Sequence, residues 1–184
     1  MQALCWKAEL RDAQMLRAAL ETLAAPPVVT LRQTDTHHEV ASGRMLHRRA
    51  TVLEPDGPTP EPDEVIFYTR ADRAEPALSH IQIYTPEEAR VRFGVLPIPV
   101  RTSVAKTRRV HLAGAVSVML DEVDGVGSFV ELSMLVTPRQ TLPRVHKEIR
   151  AVRAAIRPAL GEAVSGSYAD LVGVGPVSRP SATL

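Results

Sequence analysis

The sequence predicts an α+β fold in which a large antiparallel sheet closes into a barrel flanked by helices. Two observations point to it. The elements run strand, helix, several strands, helix, three strands and a final helix, an order typical of antiparallel sheets with segregated helices. About seven strands accompanied by so few helices favour closure over an open sheet.

Residues 2–8 read as a first strand, with Leu4, Trp6 and Ala8 on one face and Ala3, Cys5 and Lys7 on the other. Asp12 caps a helix over 13–24, whose stripe is Met15, Leu16, Ala19, Leu20 and Leu23. Pro26 and Pro27 stop it. A second strand covers 44–53. The run LEPDGPTPEPDE (53–64) is Pro-rich and acidic and reads as a loop. DEVIFYTR (63–70) is a strand by its β-branched and aromatic content, and a shorter one covers about 79–84. TPEE (85–88) starts a short helix to about 93, with Thr85 as N-cap, Pro86 in the first turn and Glu88 closing a capping box. Residues 104–112 and 115–122 pair as a hairpin with Gly114 near the turn. A further strand covers 128–137. Leu142, Val145, Ile149, Val152, Ile156 and Leu160 mark a long amphipathic helix that Pro158 ends or kinks. SGSYADLV (165–172) reads as short and irregular. The whole is one domain over 1–172 with a flexible tail over 173–184.

Composition narrows the function classes. The chain has 184 residues, 45% hydrophobic and 23% charged, which suits one globular domain. A net charge of +1 gives no global drive toward nucleic acid. KTRR (106–109) is too short a basic run on an alternating strand to change that. The single cysteine, Cys5, excludes an intramolecular disulfide and a Cys-rich zinc site, and fits a reducing compartment. No apolar run approaches the roughly 20 residues of a membrane span, and the N-terminus shows no signal-peptide core. The expectation is a cytoplasmic protein.

Alternation places the charges. Ser117, Met119 and Asp121 share a face, as do Phe129, Glu131, Ser133 and Leu135. Lys106 with Arg108, Arg44 with Leu46 and Arg48, and Ile66 with Tyr68 and Arg70 do the same. Two arrangements satisfy this pattern. In the commoner one, a half-exposed sheet turns its charged face to water. In the other, a closed barrel holds the charges inside as an anion-binding tunnel.

Three ordered blocks resemble the CYTH superfamily, which includes class IV adenylate cyclases and thiamine triphosphatases. QTDTHHEVASGRMLHRR (33–49) is similar to its Q-x-D-T-Y-F…G-R-L-K-L-R segment. KTRRVHLAGAVSVMLDEVDGVGSFVE (106–131) resembles its K-x-R…L-D-x-V-x-G-L-G-x-F-x-E block. GSYADLV (166–172) resembles its terminal G-S-Y-x-D-L-L, and YTRAD (68–72) falls where Y-x-R-P-D is common. The resemblance implies a triphosphate-tunnel fold, an eight-stranded antiparallel barrel. It also implies Arg and Lys binding an organic phosphate, and carboxylates holding one or two Mg²⁺ or Mn²⁺ ions.

The departures fall on the acids. Where the family has E-x-E-x-K this chain has Ala3, Cys5 and Lys7; the final E-x-E becomes Glu131 and Ser133. Leu46 replaces a lysine, Ser117 an arginine, and His37 and His38 replace two aromatics. Lys7, Arg44, Arg48, Arg70, Lys106, Arg108, Asp121 and Glu131 are retained. Ala3, Cys5, Leu46, Ile66 and Met119 make the implied bore more apolar, which suits a partly hydrophobic molecule bearing a negative group.

These substitutions imply an enzyme acting on an anionic small molecule or organic phosphate without an obligatory metal, by cyclisation or isomerisation. Glu131, Asp121 and Lys7 are its candidate catalytic groups. Arg44, Arg48, Tyr68, Arg70, Lys106, Arg108, Cys5 and Met119 are its candidate substrate contacts. No cofactor is expected beyond weak Mg²⁺ or Mn²⁺ binding at Asp121 and Glu131, no nucleic acid or membrane partner is expected, and a homodimer is compatible. Two other readings stand beside this one: a metal-dependent triphosphate hydrolase or adenylate cyclase, and a non-catalytic anion-binding module. His37 and His38 are read as exposed loop or rim residues, Cys5 as a small core thiol, and DGVG (124–127) as a turn.

Overall fold

A computed structural model describes residues 1–94 and 98–172; the expected tail at 173–184 lies outside the described residues. The elements are β1 (Gln2–Leu10), α1 (Ala13–Thr22), β2 (Pro27–His38), β3 (Arg44–Glu54), β4 (Gly57–Pro60), β5 (Glu64–Arg70), β6 (Ala77–Tyr84), α2 (Pro86–Phe93), β7 (Val100–Ala113), β8 (Val116–Val123), β9 (Gly127–Val136), α3 (Leu142–Ile156), β10 (Leu160–Ala163) and α4 (Tyr168–Leu171). Strands pair in the order β1-β6-β5-β3-β2-β7-β8-β9, and β9 pairs back to β1 from Gln2↔Val136 to Glu9↔Phe129. The result is a closed eight-stranded antiparallel barrel, the second of the two arrangements that alternation allows. Closure leaves no unpaired edge among those eight strands.

The main hydrophobic core lies outside this barrel. Leu4, Trp6, Ala8, Val116, Val118, Val130, Leu132 and Met134 face away from the bore and pack under Leu16 and Leu20 of α1 and Val145, Ile149, Val152 and Ile156 of α3. Burying the wall's outer face under two helices lets the inner face carry charge, because hydrophobic burial is supplied elsewhere. Asp12 caps α1 by accepting from the Gln14 and Met15 amides at 2.9 Å. The Thr85–Glu88 capping box of α2 is formed in both directions. Pro158 ends α3 at Ile156, and a single 3₁₀ turn carries the chain into β10.

Four segments differ from the sequence expectation. Residues 27–38 form a long strand, because both its faces are polar and hydrophobic alternation does not reveal it. His37 is consequently a buried, inward-facing residue and not an exposed loop residue. The Pro-rich segment is not all loop, since Gly57–Pro60 pair with Thr51–Glu54 as an edge ribbon. Residues 160–163 add a short strand to β1, and 168–171 form one helical turn behind a Ser167–Asp170 capping box.

The β2–β3 turn contains one sharp steric demand. Gly43 has φ +71°, and a Cβ there would stand 2.8 Å from the Phe67 ring. Gly43→Ala is expected to cost about 1–3 kcal/mol, combining left-handed backbone strain with overpacking. Urea denaturation would show a lower midpoint with an unchanged slope.

Candidate functional site

Register fixes which side chains enter the bore. Lys7 stands opposite Glu131, Cys5 opposite Ser133, Met119 opposite Glu131, Arg108 opposite Asp121, Asp35 opposite Arg48, Arg44 opposite Tyr68 and Arg70 opposite Ser79. Directly opposed residues of antiparallel strands share a face. Six strands therefore bring Lys7, Arg48, Arg70, Lys106, Arg108, Asp121 and Glu131 to one interior.

Two ion clusters organise that interior. Arg108 grips Asp121 with Nε to Oδ1 at 2.7 Å and Nη2 to Oδ2 at 2.5 Å, and Nη2 also reaches Glu131 Oε2 at 2.8 Å. Tyr168 donates to Asp121 Oδ2 at 2.7 Å. In the second cluster Arg48 binds Asp35 through Nε and Nη2 at 2.7 and 2.8 Å, and Lys106 Nζ adds a bond to Oδ2 at 2.8 Å. Bidentate guanidinium–carboxylate bonds satisfy the acceptor lone pairs that burial would otherwise strand.

These contacts set the protonation states. Burial pushes the Asp121 carboxyl up, but the Arg108 guanidinium outweighs it and holds Asp121 at about 2. Burial opposes ionisation of Glu131 as well, and Arg108 with Lys7 still lowers it. Asp35 is held well below the carboxylate range: burial acts against the charge, but the Arg48 hydrogen bonds and Lys106 prevail. Burial, reinforced by Asp121 and Glu131, raises Tyr168 well above the usual phenol value, so it is a neutral donor. Burial lowers His37 to about 4 and raises Cys5 to about 11, leaving a neutral imidazole and an unreactive thiol.

Lys7 and Arg70 stand apart. Among the described residues neither makes an ion pair within 4.0 Å. Lys7 Nζ donates to the Gly166 carbonyl at 3.1 Å and lies 3.9 Å over the Tyr168 ring. Arg70 Nη2 reaches the same carbonyl at 3.3 Å and the Ser165 carbonyl at 3.5 Å, while its buried Nε has no hydrogen-bond partner. Burial lowers Lys7 to about 8, with Arg70 and Lys106 adding to the effect against the pull of Glu131. In the middle of the bore five cations (Lys7, Arg48, Arg70, Lys106, Arg108) meet three carboxylates (Asp35, Asp121, Glu131).

One end of the bore is closed by residues 164–171. Val164, Tyr168, Ala169 and Leu171 pack on Val104, Val123, Val126 and Phe129. Asp170 accepts from Arg101 Nη2 at 2.6 Å, and its other oxygen lies 3.5 Å from Arg44 Nη2. Arg44 also donates to Asp72 at 2.6 Å, so it sits at the rim and not among the central charges. Beside it a cavity of about 360 Å³ opens between His37, His38, Arg44 and Arg101.

A model of the CYTH domain matches residues 7–168. The chain belongs to the CYTH family. Its fold is accordingly similar to several solved structures. A conserved hypothetical protein from Pyrococcus furiosus superposes with a TM-score of 0.66 at 18% identity, covering 92% of this chain and 99% of that one. A candidate adenylate cyclase from Vibrio parahaemolyticus gives 0.64 at 14%, covering 92% and 97%. A candidate adenylyl cyclase from Hippeastrum with a dominant triphosphatase activity gives 0.55 at 12%, covering 91% of each chain. At these identities the likeness is one of fold. No curated protein matches the chain. Among the described residues, no helix is long and apolar enough to cross a membrane.

Against the expected site, Lys7, Cys5, Arg48, Tyr68, Arg70, Lys106, Arg108, Met119, Asp121 and Glu131 all face this one bore, with Arg44 at its rim. The sequence reading missed Asp35, Gly166, Tyr168 and Asp170. Asp35 stands inside the quoted QTDT, and the other three inside GSYAD, so the motifs held the signal while the patterning did not.

Proposed function

We propose that this CYTH protein is an enzyme that binds a small anionic molecule in its bore through Lys7 and Arg70 and acts on it without an obligatory divalent metal. The observation that carries the reading is the pair of cations whose hydrogen bonds, among the described residues, go only to the backbone carbonyls of residues 165 and 166. A buried guanidinium donor without a partner is costly, and an anionic ligand supplies the missing acceptor.

The donor set fits a Mg²⁺ or Mn²⁺ ion poorly. A hard cation needs about six oxygens, several of them from carboxylates. Asp121 and Glu131 direct theirs to Arg108, and β1 offers Ala3 and Cys5. Among the described residues no three His, Cys, Asp or Glu side chains form a metal-binding group. Arg108 is the standing counter-cation of the two acids, which favours a metal-independent reaction.

The protonation states support a role for Lys7 in this reading. Asp121 and Glu131 are held ionised by Arg108 and are weak bases. Lys7, near 8, can give or take a proton at Nζ close to neutral pH, as acid–base catalysis requires. The reaction class these groups suit is a cyclisation or isomerisation, in which the bore orients the substrate and Lys7 moves one proton. Arg70 then holds the anionic group, and Arg108 keeps the two acids from repelling it.

The decisive experiment measures turnover of ATP, thiamine triphosphate and tripolyphosphate with Mg²⁺, Mn²⁺ or EDTA, alongside thermal shifts. The expected result is no turnover of these and no metal-dependent rise in Tm. Metal-dependent hydrolysis or cyclic nucleotide formation overturns the reading in favour of triphosphate chemistry. Affinity for phosphate is also expected to depend on pH. Lys7 is charged below about 8 and neutral above it, so affinity falls as pH rises through that value. Lys7→Met is expected to weaken binding about tenfold at pH 7 and to remove that dependence, as titration calorimetry across pH 6.5–9.5 would read.

A further inference from the structure

We infer that the anion carries a hydrocarbon body, which lies in the end of the bore opposite residues 164–171. This rests on the anion-binding reading above and names the class of molecule. The wall at that end is built from the inward faces of Leu31, Ile81, Ile83, Val110, Leu112 and Leu135, placed there by the same register that turns Arg108 and Glu131 inward. On β1, β8 and β9 the outward aliphatics are sealed under α1 and α3: Leu4, Val118 and Leu132 are 0% exposed. At this end the inward Leu135, Ile83 and Leu112 are instead 48%, 43% and 41% exposed.

Charge runs the other way along the bore. The cations nearest this end are Arg108, opposite Leu31, and Arg48, opposite Glu64, and among the described residues no lysine or arginine faces inward beyond them. Deeper in, Arg48 and Lys106 are taken by Asp35, and Arg108 by Asp121 and Glu131. A chain of phosphates beyond the first would therefore meet aliphatic carbon where it needs cations. One anionic head with an apolar body meets what it needs at both levels, cations at Lys7 and Arg70 and aliphatic wall beyond them. From Lys7 to Ala3 the strand rises four residues, on the order of 13 Å along its length, which is room for a medium-chain or alicyclic body. At the plugged end Tyr168 lies over Lys7 and packs on Phe129, so the hydrocarbon body is routed along the aliphatic end.

Titration calorimetry with decyl phosphate, decanoate, methyl phosphate and tripolyphosphate tests this on the full chain. Decyl phosphate or decanoate is expected to bind at least about tenfold more tightly than methyl phosphate, and comparing the two long probes distinguishes a phosphate from a carboxylate head. Leu135→Glu and Ile83→Glu alter exposed positions and leave the fold intact. Each is expected to weaken the long-chain probe about tenfold and leave methyl phosphate unchanged, whereas Lys7→Met weakens both. Lys7-dependent binding that is indifferent to chain length, or tripolyphosphate binding more tightly than decyl phosphate, overturns this inference alone. Binding indifferent to Lys7→Met overturns the anion reading beneath it. A concentration-dependent dimer dispersed by Leu135→Glu in sedimentation would assign the aliphatic rim to a second copy of the chain and overturn the inference too.

Discussion

Arg108→Leu is expected to destabilise the fold by about 3–5 kcal/mol, the largest effect of any single substitution on the bore's acid pair. The change removes one cation but strands two carboxylates. Asp121 has a fully buried side chain, Glu131 a largely buried one, and both use Arg108 as their charge partner at 2.5–2.8 Å. Leucine fills part of the volume and supplies no donor. Arg108→Lys is expected to recover only part of the loss, since one ammonium lacks the planar fork that reaches Asp121 twice and Glu131 once. Adding Asp121→Asn and Glu131→Gln to Arg108→Leu should restore stability toward wild type, because neutral amides no longer demand a counter-ion. Urea denaturation of the series measures each step, and a triple variant no more stable than Arg108→Leu would mean that packing around Arg108, not charge, carries the effect.

The wild-type chain carries the matching pH signature. Asp121 sits at about 2 in the fold against an ordinary value near 3.8, so its contribution is complete above about pH 4 and is lost as pH falls through 2. Lys7 acts in the opposite sense. Its lowered value means that the unfolded chain binds more protons between about pH 8 and 10.5, so this group makes folding more favourable as pH rises through that window.

How much of this was legible in the sequence depends on which face carried the signal. β1, β8 and β9 announce themselves because one face is apolar and buried under helices; Leu4, Val118 and Leu132 alternate with Cys5, Met119 and Glu131. The same alternation correctly turned Lys7, Asp121 and Glu131 to one side. β2 did not announce itself. Gln33, Asp35 and His37 face a charged bore while Thr34, Thr36 and His38 face outward, so neither side has the apolar period that marks a strand. A barrel whose interior is polar hides its own strands wherever no helix covers the outer face. The 164–171 plug was hidden for another reason: its one helical turn is too short for a periodicity, and Tyr168 gains its role only from Asp121, 47 positions away in sequence. Alternation likewise permitted both arrangements and, taken alone, favoured the half-exposed sheet over the closed barrel. What decides between them is the β1–β9 pairing, a contact between strands far apart in sequence that no local pattern encodes.

Asp35→Ala should come close to the Arg108 effect, at about 3–5 kcal/mol, because Asp35 is the shared partner of Arg48 and Lys106. Lys106 is almost wholly buried, and burial already lowers it, so loss of Asp35 favours its deprotonation and leaves Arg48 as an unpaired charge. The contrast is Asp72→Ala, which removes a half-exposed partner of Arg44 at the rim and should cost no more than about 1 kcal/mol. The Asp35 variant also separates the two roles of the bore's cations. With Asp35 present, Arg48 and Lys106 are occupied and only Lys7 and Arg70 are left to an incoming anion. Without it, Arg48 is left unpaired, and a bound anion draws Lys106 back to its charged form. Phosphate should then raise the Tm of Asp35→Ala by more than it raises that of wild type, since the ion both binds and supplies the missing counter-charge. Equal phosphate shifts in the two proteins would show that Asp35 does not hold Arg48 and Lys106 away from the ligand. A larger shift in the variant would mean that this one carboxylate keeps Arg48 and Lys106 from the anion and leaves the bore a site for a single anionic head at Lys7 and Arg70.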